Sequence, residues 1–199
     1  MEILGGLQIE AIKQNYISLI WTDGATHGRP ILSYTVSGRT NWNDMWVNLT
    51  YGIYAKERDR YNGRKQADIE VSLTPWSTYE FRVSAVNELG MGFPSAPSPR
   101  HSTPPDRPYI APSVGGGGGK RGDLTVTWIP LKPEQQNGPG VYYIIYYRLK
   151  SGNIEFQKVV LKGNEYIGKA VINIPPDNYY TEYVVKVQVR SHQLIHFHK

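Results

Sequence analysis

Residues 79–86 read Tyr-Glu-Phe-Arg-Val-Ser-Ala-Val. Tyr79, Phe81, Val83 and Ala85 alternate with Glu80, Arg82, Ser84 and Val86. A strict period of two puts one set on one face, which suits an antiparallel strand with a single buried side. The pattern returns 104 positions later, where Tyr183 opens Tyr-Val-Val-Lys-Val-Gln-Val. A second pair stands upstream. Tyr16-Ile-Ser-Leu-Ile-Trp21 and Asp123-Leu-Thr-Val-Thr-Trp128 end in tryptophans 107 positions apart. Self-similarity near a hundred residues is a domain repeat, too long for a solenoid unit.

Between these strands the first half keeps alternating. Ile17, Leu19 and Trp21 interleave with Ser18, Ile20 and Thr22, and Leu32, Tyr34 and Val36 with Ser33, Thr35 and Ser37. Asp23-Gly24, Gly28-Arg29-Pro30, Asn62-Gly63 and Leu89-Gly90-Met91-Gly92 punctuate them as turns. Seven strands are expected, near 5–11, 15–22, 31–40, 44–56, 66–73, 79–87 and 94–102. That number in about a hundred residues makes a β-sandwich. Residues 102–108, with three prolines, form a short, stiff junction that sets a preferred angle between domains. The second half repeats the order through Leu124, Val126 and Trp128, then Tyr143, Ile145 and Tyr147, then the strand of Tyr183. After Arg190 no further strand is expected. The architecture is therefore all-β: a sandwich over 5–103, a second over 107–190 that lacks its last strand, and a divergent tail over 191–199. The expected interior is Trp21, Tyr34, Leu73, Tyr79, Trp128, Tyr143 and Tyr183.

Composition narrows the function. With no cysteine there is no disulfide framework, thiol nucleophile or Cys-based zinc site. No run of 18 apolar residues spans a membrane, and the Met1 end lacks the basic flank and apolar run of a leader. The net charge of +5 is mild and the charges are interspersed along most of the chain; a nucleic-acid partner would call for a basic face and a recognised motif, and the motif is absent, so none is expected. Ser, His and Asp occur without a nucleophile motif, and Gly115–Gly119 is followed by a strand and no Gly-Lys-Ser/Thr. Neither an enzyme nor a cofactor is expected.

The motif Leu73-x-Pro75-x-x-x-Tyr79-x-Phe81-Arg82-Val83-x-Ala85-x-Asn87-x-x-Gly90-x-Gly92 resembles the signature of the fibronectin type III fold, an immunoglobulin-like β-sandwich. The resemblance implies that Trp21 is the core tryptophan and Tyr79 the tyrosine corner, its buried hydroxyl turned back to the backbone. In the second half Tyr183 keeps that place, while Tyr179 stands where proline is usual. Val114 with Gly115–Gly119 before Leu124-Thr-Val-Thr-Trp128 is similar to the start of the second type III domain in contactins. Ser37-Gly-Arg-Thr-Asn-Trp42, Arg60-Tyr-Asn-Gly-Arg-Lys65 and Asn137-Gly-Pro-Gly-Val-Tyr142 are similar too, most closely to insect-type members. Contactins are neural and junctional adhesion molecules with six immunoglobulin and four type III domains, lipid-anchored on the outer leaflet. The resemblance implies an extracellular, cell-surface fragment made of the first two type III domains. It would act as spacer and protein-binding surface toward other adhesion proteins, with no membrane insertion of its own. The rival readings are an intracellular structural array of type III domains and a cytokine-receptor-like pair. The latter calls for first-domain cysteines and a Trp-Ser-x-Trp-Ser motif, both absent.

Four candidate sites follow. Asn48-Leu49-Thr50 is an N-glycosylation acceptor expected on an exposed edge near a strand end. Lys56, Arg58, Arg60, Arg64 and Lys65 form a basic loop that sulfated glycans could contact, though internal ion pairs are the commoner fate of such a stretch. Arg121-Gly122-Asp123 matches the integrin-read tripeptide, but it precedes a strand that Asp123 should enter, after a flexible glycine loop. His192, His196 and His198 cluster in the tail with no carboxylate beside them to complete a metal site.

Overall fold

The computed structural model describes residues 6–26, 28–59, 61–152, 154–161, 168–178 and 181–191. The chain divides between Pro104 and Pro105 into two units. In the first, the strands are β1 (Gln8–Lys13), β2 (Tyr16–Thr22), β3 (Ser33–Thr40), β4 (Asn43–Ile53), β5 (Lys56–Asp59), β6 (Arg64–Glu70), β7 (Thr78–Asn87), β8 (Gly90–Met91) and β9 (His101–Ser102). They form two antiparallel sheets, ordered β1-β2-β6-β5 and β4-β3-β7-β8, with β9 also on β7. The alternating side chains of β2, β3, β6 and β7 meet between the sheets. Ile17, Leu19, Trp21, Val36, Phe81 and Val83 are fully enclosed. Each such side chain contributes about 1.5–3 kcal/mol over an exposed one. Leu73 and Tyr79 join the same core, and the Tyr79 hydroxyl accepts the Thr74 N–H at 2.8 Å. That bond is the tyrosine corner.

Two stretches depart from the seven-strand expectation. Residues 44–56 are not one strand: β4 belongs to one sheet, and after Tyr54-Ala55 the chain crosses to the other as β5. Residues 94–102 form a regular ladder only at β9. Pro94, Pro97 and Pro99 have no N–H to donate. Ser95 and Ser98 donate their backbone N–H groups to Val83 and Phe81 at 2.9 Å each. The returning N–H groups of Val83 and Phe81 go to the serine hydroxyls, at 3.1 and 3.0 Å. Side-chain oxygens thus replace the carbonyls that the proline-rich backbone turns away.

The second unit holds β10 (Val114–Gly118), β11 (Asp123–Trp128), β12 (Val141–Leu149), β13 (Gln157–Leu161), β14 (Lys169–Asn173) and β15 (Tyr183–Ser191). Its sheets run β10-β11-β14 and β13-β12-β15. The buried cluster is Val126, Trp128, Tyr143, Ile145, Ile172 and Val187. Tyr183 is a correction: it is half-buried and outside that cluster. It sits at the strand's first position, opposite Leu149 at the end of β12, where only one neighbouring strand covers it. The glycine run is a second correction. Gly115–Gly118 form no loop but pair residue by residue with Thr127, Val126, Thr125 and Leu124. Among the described residues β15 is an edge of its sheet. Arg60, Tyr179 and the histidines 192, 196 and 198 lie outside the described residues.

Candidate functional site

The most organised polar surface is the outer face of the sheet β4-β3-β7 in the first unit. Alternation sends Ser37 and Arg39 of β3, and Glu80 and Arg82 of β7, away from the core. The ladder sets Ser37 opposite Arg82 and Arg39 opposite Glu80. Trp46 of β4 leans across them. The Arg82 guanidinium lies 3.8 Å from its ring centre and that of Arg39 4.9 Å, within cation–π range. Arg39 also donates to Glu80 at 2.6 Å, and Arg100 donates to the same carboxylate at 3.2 Å. These two hydrogen bonds, Arg39's first, hold the Glu80 carboxyl below its ordinary value. Arg82 Nε is enclosed without a hydrogen-bond partner among the described residues, and its guanidinium lies over the indole π-face. The face presents two guanidiniums stacked on one indole and a third held by the Glu80 carboxylate.

Asn48 stands on the same face, in the middle of β4 rather than near its end. It is exposed and opposite Ser37. Ser37 Oγ donates to Asn48 Oδ1 at 2.6 Å, and Asn48 Nδ2 donates to the Tyr51 hydroxyl at 3.0 Å.

The basic stretch from Lys56 to Lys65 is folded against its own carboxylates and amides. Arg58 pairs with Glu10 at 2.5 Å and reaches Gln66 at 3.3 Å. Arg64 donates to Gln8 at 3.0 Å and Lys65 lies 3.6 Å from Glu57. Arg58 sits in β5 and Arg64 and Lys65 at the start of β6, beside acidic and amide groups of adjacent strands. The charge is largely internal to the sheet.

Arg121-Gly122-Asp123 closes the hairpin between β10 and β11. Gly122 takes a left-handed φ of 88° and its carbonyl accepts the Ile174 N–H at 2.8 Å. Asp123 begins the ladder opposite Asn173 and is half-buried. The tripeptide is thus tied into the sheet and also borders a cleft of about 780 Å³ with Leu124, Tyr183 and Val185. Elsewhere in this unit Phe156 lies under Arg148 and Lys186, at 5.1 and 4.7 Å. No group of three His, Asp or Glu side chains able to hold a metal occurs among the described residues.

The fibronectin type III domain family matches residues 4–101. Over 185 residues the chain is 54% identical to Contactin of Drosophila melanogaster, covering 92% of this chain and 13% of that protein. It is 36% identical over 188 residues to Contactin-1 of Gallus gallus, covering 92% and 18%. The crystal structure of the chicken CNTN1 FN1-FN3 domains superposes with a TM-score of 0.77 at 35% identity, over 94% of this chain and 60% of that one. The chain belongs to the contactin family. It spans less than a fifth of the length of these two contactin relatives.

Sequence reasoning placed Asn48 and Arg82 on the surface but missed Trp46, the ring that Arg82 and Arg39 lie over. The signal was present: Trp46 is two positions before Asn48 and shares its parity, so the contactin-type strand had to carry both outward. What could not be read was that Arg39 and Arg82, 43 positions apart, meet over one ring.

Proposed function

We propose that the two sandwiches act outside the cell as the spacer and contact region of a cell-surface adhesion protein, held away from the membrane and engaging other cell-surface proteins at neural or junctional contacts. The observation that carries this reading is the 54% identity to a contactin across 92% of the chain. The geometry supports it. Among the described residues no helix is long and apolar enough to cross a membrane. Arginine and tryptophan, enriched at protein interfaces, are held in fixed geometry on the Trp46 face. Arg58, Arg64 and Lys65 are engaged with their own sheet, which favours a protein partner over sulfated glycans. Single contacts of this kind are weak, and multivalent presentation supplies the avidity.

The test is a multivalent form of the secreted chain applied to unpermeabilised neural cells. The expected result is binding that protease treatment of the cells removes, that heparinase leaves intact, and that Arg82→Glu abolishes. Absence of binding, or its loss on heparinase treatment, overturns the reading.

A further inference from the structure

We propose that Asn48 carries an N-linked glycan whose structural task is to keep the β4 edge from pairing with a second copy of the chain. The proposal rests on passage through the secretory pathway, and so on the extracellular reading above.

Three observations converge. First, β4 is the outer strand of its sheet and eleven residues long. It carries Met45, Val47 and Tyr51 exposed at 71, 48 and 67%. A long edge with apolar side chains is a template for another strand. Second, the first unit protects its other edges in ordinary ways. β1 carries Glu10 and Lys13, all four residues of β5 are charged, and β8 is two residues long. In β4 only Asp44 is charged, and there is no lysine or proline. Register shifts interrupt its pairing with β3, but they do not put charge on the outer edge. Third, the single Asn-x-Ser/Thr triplet of the chain, Asn48-Leu49-Thr50, lies at the middle of this strand.

The side chain is built to tolerate the modification. Ser37 holds Oδ1 from one side, and Nδ2 uses one hydrogen toward Tyr51. Its second hydrogen is the one lost. The donor is a lipid-linked pyrophosphoryl oligosaccharide. A bond forms between Asn48 Nδ2 and the anomeric carbon of the first N-acetylglucosamine. The bond from that carbon to the pyrophosphate oxygen breaks, the lipid pyrophosphate leaves with the electron pair, and the displaced amide proton passes to the transferase base. The product amide keeps the hydrogen bonded to Tyr51. An added strand would lie about 4.8 Å from β4, inside the volume swept by a branched glycan rooted at the strand's centre.

The experiment uses the full chain secreted from eukaryotic cells behind a leader. Peptide mass mapping reads occupancy of Asn48, and sedimentation reads association over a range of concentrations. Wild type is expected to be glycosylated and monomeric. Asn48→Gln and Thr50→Val lose the glycan and shift toward dimers and larger species as concentration rises. Thr50→Ser retains the acceptor motif and stays glycosylated and monomeric. Circular dichroism melts identify variants that remain folded; Asn48→Gln alters only an exposed side chain and preserves the test if Thr50→Val does not fold. An unmodified Asn48 in the secreted protein overturns the proposal, as does a folded glycan-free variant that stays monomeric throughout. Both results leave the cell-binding assay of the adhesion reading untouched, so the two failures are distinguishable.

Discussion

The carboxylate of Asp23 receives the hydroxyl of Tyr34, its two oxygens 2.8 and 2.7 Å away. The same carboxylate accepts Trp21 Nε1–H at 3.2 Å, and the two rings meet edge to face with centroids 4.9 Å apart. One acceptor thus satisfies both polar groups of the aromatic pair at the heart of the first unit. Burial, reinforced by the Asp23 hydrogen bond, keeps the Tyr34 phenol far above its ordinary value. In the second unit the position two residues after the tryptophan is Pro130, which has no acceptor side chain. Trp128 Nε1 is buried without a partner among the described residues, and the Tyr143 hydroxyl accepts the Leu131 N–H at 2.9 Å. Asp23→Ala strands two buried donors and should destabilise the first unit by about 2–4 kcal/mol, read as a lower denaturation midpoint. The second unit's transition should not move.

Tyr79, Tyr143 and Tyr183 are predicted to differ, although Tyr79 and Tyr183 hold matching places in the sequence. Tyr79→Phe removes the acceptor of the Thr74 N–H, and Tyr143→Phe that of the Leu131 N–H. Each should cost about 1–3 kcal/mol, the penalty for an orphaned buried donor. Tyr183 is half-buried and its hydroxyl has no hydrogen bond among the described residues, so Tyr183→Phe should be near neutral. Chemical denaturation of the three variants decides it. A cost at Tyr183 equal to that at Tyr79 would restore the second tyrosine corner.

These contrasts show what the sequence could reveal. Alternation at Tyr79–Val86 and the spacing of the two tryptophans made both sandwiches legible, because a period of two depends on local chain geometry. Tyr183 was misjudged because burial depends on what lies across the sheet, and the repeat carries no information about the covering neighbour. The glycine run was misread because glycine has no side chain to display a period. Its pairing is dictated by β11, whose Thr125, Val126 and Thr127 do alternate. Asn48 was found by motif. Its partner Ser37 was set only by the register of β4 on β3.

Glu80 gives a pH signature. Its carboxyl is only 16% exposed and is held below its ordinary value by Arg39 and then Arg100. A depressed folded pKa means the charged form contributes stability above the unfolded-chain value. That contribution disappears as pH falls through the folded value. Glu80→Gln should therefore cost about 1 kcal/mol at neutral pH. The gap to wild type should close as the solution is acidified toward about pH 2, where both states of the native group are protonated. Urea melts across that range check it; a gap that widens in acid reverses the sign and rejects the assignment.

The glycines of β10 and of the hairpin turn after it are not equivalent, and substitution should rank them. At Gly119 an added Cβ would collide with the Asp123 carbonyl oxygen, a backbone atom that cannot step aside. Gly119→Ala must open the hairpin, and overpacking of this kind costs about 1–3 kcal/mol. At Gly115 the contact is Thr127 Oγ1 at 2.8 Å. That side chain can rotate, though it then gives up its 3.1 Å bond to the Gly115 carbonyl, so the cost should be smaller. At Gly116 nothing lies within 4 Å. There alanine meets no obstacle and reduces the freedom of the unfolded chain, so Gly116→Ala should be neutral or stabilising by up to about 1 kcal/mol. Thermal melts of the three variants test the order 119, 115, 116. If all three were equally harmless, the paired glycine strand would have to be abandoned in favour of an unstructured loop, since only the ladder with β11 brings residue 119 against Asp123.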